Sequence, residues 1–165
     1  MTSKGIESPV TSPSVLLHHD LLVTAQLNIF NHKAQPIQCR ALLSIGSSMN
    51  FITEKLAKSL CIKQGRCSVP FGFLDALTTT SKHFITATIA SMEGTYKRTL
   101  TFLVIPTITT LVPDQPVDRS MIQIPMNLQL ADPRFHRPGS IEILLSAGPT
   151  PALLCVGQIN INRSN

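Results

Sequence analysis

The chain has no tryptophan, one tyrosine and few charges, with Asp, Glu, Lys and Arg together at 14% of its 165 residues. That shortage of charge argues against a disordered polar segment and points to a surface covered in part by a partner. No apolar run approaches the roughly 18 residues needed to span a bilayer, and no basic segment followed by an apolar core opens the chain. The expected setting is therefore intracellular and cytoplasmic, with no signal peptide and no membrane. Cys39, Cys61, Cys67 and Cys155 form no C-x-x-C pair. Three of them sit among apolar neighbours, which predicts buried thiols in a reducing compartment in place of a disulfide framework or zinc site. The one close histidine pair, His18-His19, would point to opposite faces of a strand. No metal and no cofactor is expected. The formal charge of +5 is scattered, with no cluster beyond Lys97-Arg98 and no interleaved aromatics, so nucleic acid is not an expected partner.

Hydrophobic residues reach 43%, and the length suits one domain with its own core. Twelve prolines and abundant Thr and Ser favour strands and extended loops, so the class reads as all-β, mostly strands with one short helix. Residues 1–19 lack periodicity and read as a flexible lead-in to a domain over 20–165. Val23, Ala25, Leu27 and Ile29 alternate with Thr24, Gln26 and Asn28. Ile37, Cys39, Ala41 and Leu43 alternate with Gln38 and Arg40, which should face water, so the two runs predict a hairpin. Asn50 is positioned to cap a helix in "FITEKLAKSLCI", with Gly65 ending that region. An extended arm around Gly72 precedes a strand through Phe84, Ile85, Ala87 and Ile89, a turn at Glu93-Gly94 and a further strand stopped by Pro106. Six prolines make 106–139 irregular, with Ile122, Ile124, Met126, Leu128 and Leu130 available as anchors. Two more strands follow, from Ile141 to Leu145 and near Val156 to Ile161.

The informative stretch is "RALLSIGSSMNFIT", residues 40–53. An apolar strand runs into a small-residue turn, which is how a fold presents a reactive side chain, and the side chain presented is Ser44. A second apolar strand, "IEILL", ends the same way at Ser146-Ala147-Gly148. Together with "LADPRFHRPG" and "LCVGQINI", these blocks make the chain resemble the retropepsin-like aspartic peptidases of BEL/Pao-type LTR retrotransposons. The resemblance covers nearly everything after residue 20. It implies an acid-protease half-barrel with a flap hairpin over a cleft, two copies meeting so that each donates one catalytic aspartate. By the same resemblance the arm around Gly72 is the flap; Phe71, Gly72, Phe73 and Ser146 are the candidate peptide-binding residues, and Phe71 and Phe73, as apolar residues on a hairpin, equally suit a dimer contact.

Two carboxylates about 3 Å apart share one proton, so that one activates a water while the other polarises the scissile carbonyl. The family pattern is an apolar pair, then Asp, then Ser or Thr, then Gly. This chain keeps Leu42-Leu43 and Gly46 but carries Ser44 in place of the aspartate and Ile45 in place of the hydroxyl residue. No acid lies between Asp20 and Glu54 to compensate by a shift of register. Ser146 replaces a family glycine, which predicts strain in the second turn. A serine nucleophile at Ser44 lacks a G-x-S-x-G elbow and any assigned base, so the serines read as turn residues. Asp132 reads as a turn residue before Pro133, Asp75 as a solvent-facing one, and Cys61 and Cys67 as core thiols. The expected function is a retroelement-derived, aspartic-peptidase-like domain without catalysis, retaining weak homodimerisation and the binding of a peptide or polyprotein segment. The alternative is an active aspartic endopeptidase that processes a retrotransposon polyprotein.

Overall fold

A computed structural model describes residues 21–72 and 79–154. The lead-in, Phe73, Asp75, Cys155 and the strand predicted near Val156 to Ile161 lie outside the described residues. Seven strands and two short helices follow one another as β1 (Thr24–Phe30), β2 (Pro36–Leu43), β3 (Phe51–Thr53), α1 (Glu54–Ser59), β4 (Gly65–Phe71), β5 (Thr79–Ser91), β6 (Lys97–Ile105), β7 (Ile143–Leu145) and α2 (Thr150–Leu153). Six strands in the order β1-β2-β7-β3-β6-β5 close into a mixed barrel through the β1–β5 pairing. The second helix and the closure were not apparent from the sequence. Among the described residues, no helix is long and apolar enough to cross a membrane.

The predicted hairpins form where turn chemistry and alternation agree. β1 and β2 pair antiparallel from Thr24↔Leu42 to Phe30↔Pro36, and Ala25, Leu27, Ile29, Cys39 and Ala41 fill the barrel interior. β5 and β6 join through Gly94, whose φ of 74° is the left-handed conformation glycine adopts without steric cost. β4 pairs only with the first half of β5, from Gly65↔Phe84 to Phe71↔Thr79, so the two form an arm beyond the barrel. Gly65 opens this strand because a Cβ there would come within 2.3 Å of the Phe84 ring.

The continuous apolar runs at β3, β6 and β7 have a separate cause. Their alternate residues serve two layers: Ile52, Phe102, Val104, Ile143 and Leu145 face the barrel interior. Phe51, Leu103, Ile105 and Leu144 pack outward with Ile108, Val112 and Ile141. A strand covered on both faces has no position at which a polar residue is free of cost.

Several expectations require correction. Thr53 caps α1, its hydroxyl accepting from Leu56 N–H, because residues 51–53 form a strand and the helix starts three residues later than predicted. The helix ends at Ser59, before Cys61 takes a φ of 52°. Of the thiols expected in the core, Cys39 is buried, Cys67 is half-buried and Cys61 is exposed. In 106–139 the expected anchors do not serve, since Met126 and Leu128 are exposed and Ile122, Ile124 and Leu130 are only half-buried. Ile108 and Val112 hold this strap instead, with Asp132, which is 3% exposed.

Asp132 also explains why Arg40 does not face water. Arg40 is 6% exposed, and its Nε donates to Asp132 Oδ2 at 2.6 Å. Thr24 Oγ1 donates to the same oxygen at 2.7 Å. Gln26 Nε2 and Arg134 N–H donate to Oδ1 at 3.3 and 3.0 Å, the latter being the local turn contact expected of this aspartate. Arg40 Nη1 also donates to the Val112 carbonyl. Thr24, Gln26 and Arg40 of the first hairpin's polar face are thus buried under the strap and bonded to Asp132, with Arg40 Nη2 left without a hydrogen-bond partner.

Candidate functional site

β2 and β7 run parallel, with Ala41↔Ile143, Leu42↔Leu144 and Leu43↔Leu145 in register, so both apolar strands end at the same level. Ser44 N–H donates to the Leu145 carbonyl at 2.9 Å, and Ala147 N–H donates to the Ser47 carbonyl at 2.8 Å. The two small-residue turns singled out in the sequence are therefore joined by backbone hydrogen bonds. Ser47 Oγ donates to the Met49 carbonyl at 2.7 Å and accepts from Met49 N–H at 3.3 Å, the turn role expected of it.

Asn50, read from the sequence as a helix cap, holds this junction. Its Oδ1 accepts from Ser146 N–H at 2.9 Å, its Nδ2 donates to the Thr101 carbonyl at 3.1 Å, and its own carbonyl accepts from Leu103 N–H at 2.9 Å. One side chain thereby ties the second turn to β6. Thr150 adds a second clasp, its hydroxyl donating to the Leu145 carbonyl at 3.1 Å. Asn50 carries no sequence signal for this role, since its partners are remote in the chain.

Ser146 is buried, and its backbone is not left-handed; among the described residues the non-glycine positions with positive φ are Ala34 and Cys61. The strain expected at Ser146 is therefore not present. Gly46 likewise needs no left-handed backbone, and a Cβ there would meet only Ser44 Oγ, at an ordinary 4.0 Å.

Over this junction lies a cleft of about 380 Å³, lined by Ser44, Gly46, Ser47, Ser48, Met49, Phe51, Leu144 and, from the end of the arm, Pro70, Phe71 and Gly72. The Phe71 ring packs on Phe51 at 5.2 Å between centroids, tilted by 54°, which sets the arm against the cleft floor. Ser44, Gly46, Phe71 and Gly72 are thus brought together. Ser146 lies beside the turn outside this lining, and Ile45 points away with 76% of its surface exposed.

The described lining contains hydroxyls, a thioether and apolar groups, but no carboxylate, imidazole or amine. A hydroxyl ionises far above neutral pH and needs an adjacent base to act as a nucleophile, and none stands among the described lining residues. Asp132, the buried acid, belongs to the strap. Burial pushes its carboxyl up, but hydrogen bonds from Thr24, Arg40, Gln26 and Arg134 N–H outweigh that effect and hold it below the usual carboxylate range. It is a committed anion with four donors and no access to a substrate. Among the described residues no group of three or more His, Cys, Asp or Glu is placed to hold a metal ion. Comparison with protein-family models, curated proteins and solved structures finds no match to this chain.

Proposed function

We propose that this chain is a retropepsin-like domain of retroelement origin that binds an extended peptide or polyprotein segment and does not hydrolyse it. The observation that carries the reading is Ser44: it ends β2 beside the end of β7, facing a cleft covered by a strand arm, where an acid protease requires a carboxylate. A dyad needs a group that can hold and release a proton near neutral or acidic pH, and a hydroxyl does neither. The apolar walls at Phe51, Phe71 and Leu144, next to backbone groups at Gly46 and Gly72, suit an extended peptide with small apolar side chains. The proposal includes weak self-association through the face that carries the exposed Ile45.

The test is incubation of the purified chain with a fluorogenic peptide pool from pH 4 to 7, with and without a statine-type inhibitor, together with light scattering up to high protein concentration. No turnover is expected, and a mass rising above the monomer's is expected as concentration increases. Inhibitor-sensitive cleavage would establish the active endopeptidase instead, and a strictly monomeric mass would remove the self-association.

A further inference from the structure

A second cleft, of about 420 Å³, opens on the far side of Phe71, which lines both. Its floor is Val104, Ile105 and Pro106 at the end of β6, and its rim carries Lys58 of α1 and Lys82 and His83 of β5. The two clefts differ in charge. Among the described residues the first has no charged lining residue, whereas the second is lined by Lys58, Lys82 and His83 against a single described acid, Glu54. Glu54 is partly engaged by Lys58, Nζ to Oε2 being 3.6 Å, and Lys82 makes no ion pair with any described residue. Lys58 comes from α1 and Lys82 from β5, so their meeting at one cleft is a product of the fold and not of a basic run.

We propose that the second cleft receives an acidic side chain of the same peptide that occupies the first, with Lys82 and Lys58 binding the carboxylate and Phe71 separating the two positions. This rests on the peptide-binding reading above and adds a substrate class to it: apolar or small residues followed, a few positions along, by Asp or Glu. Shared use of Phe71 makes one extended chain the natural occupant. Rim ammonium groups contribute selectivity and association rate more than affinity, so the preference is salt-sensitive.

The test is a fluorescein-labelled positional-scanning decapeptide library, read by polarisation on the full chain, with Glu, Gln or Lys fixed in turn. The expected result is a Glu preference at one or two positions. In Lys58→Gln/Lys82→Gln it falls roughly fivefold, the scale of exposed ion pairs, while the apolar preference is retained. Raising salt from low to physiological strength should shrink the preference in the parent only. Library binding with no preference for Glu over Gln, or a preference untouched by the double variant, overturns this inference and leaves peptide binding standing. Absence of any library binding overturns both. Competition by a single-stranded oligonucleotide as strong as that of the best Glu peptide would assign the basic face to nucleic acid and overturn the inference.

Discussion

Replacing Asp132 by Ala should destabilise the domain more than any change in the cleft. The substitution leaves the Arg40 guanidinium buried without its counter-ion and removes the acceptor for Thr24, Gln26 and Arg134 N–H. Removing one member of a buried ion pair typically costs about 3–5 kcal/mol, a large share of the ~5–15 kcal/mol by which a domain is stable. Arg40→Met/Asp132→Leu removes both charges and should recover much of the loss, because an uncompensated charge costs more than a missing pair. Urea unfolding of the parent, Arg40→Met, Asp132→Leu and the double variant closes a double-mutant cycle, with stability read from the midpoint at constant slope. The cycle also has a pH signature. The folded carboxyl titrates below its unfolded value near 3.8, so its contribution is fully present above that value and is lost as pH falls through the folded one. The parent should therefore lose stability below about pH 4 more steeply than Asp132→Ala. A single-variant loss under about 1 kcal/mol, or a double variant no more stable than either single, would refute the view that the strap is clipped to the barrel by this pair.

Three further outcomes are expected. Ser44→Asp should remain inert alone, and Ser44→Asp/Ile45→Ser should hydrolyse peptides with an acidic optimum; a folded, dimeric and inert double variant would contradict the peptidase framework, and adding Ser146→Gly should change little because Ser146 is unstrained. Asn50→Ala should cost about 1–3 kcal/mol, since it leaves Ser146 N–H without its acceptor, and hydrogen exchange at Ser146 should accelerate; an unchanged rate would remove Asn50 from the junction. Iodoacetamide at pH 8 should label Cys61 and spare Cys39, whose thiol is pushed up to about 12 by burial and by the nearby Glu142 carboxylate. The same shift means that Cys39 favours the unfolded state increasingly as pH rises above 9, so the stability lost between neutral and alkaline pH in urea unfolding should be smaller in Cys39→Ala than in the parent.

What the sequence determined by itself was local. Period-2 alternation was enough to place β1, β2 and their hairpin, and the glycine turn between β5 and β6, because each depends on residues a few positions apart. The two apolar strands ending in small-residue turns were legible for the same reason, as was the serine presented at position 44. Tertiary structure decided what those turns do together: the parallel register of β2 and β7 brings Ser44 beside Leu145, and no local pattern encodes a pairing across so long a separation. Arg40 and Asp132 show the limit most plainly. On its own strand Arg40 reads as a solvent-facing charge, and it becomes buried only because the strap between β6 and β7 delivers a carboxylate to it. Asn50 and the two clefts on either side of Phe71 belong to the same class. Each is an arrangement of ordinary polar and apolar residues whose meaning lies in the partner, and the partner is supplied by a segment remote in the chain.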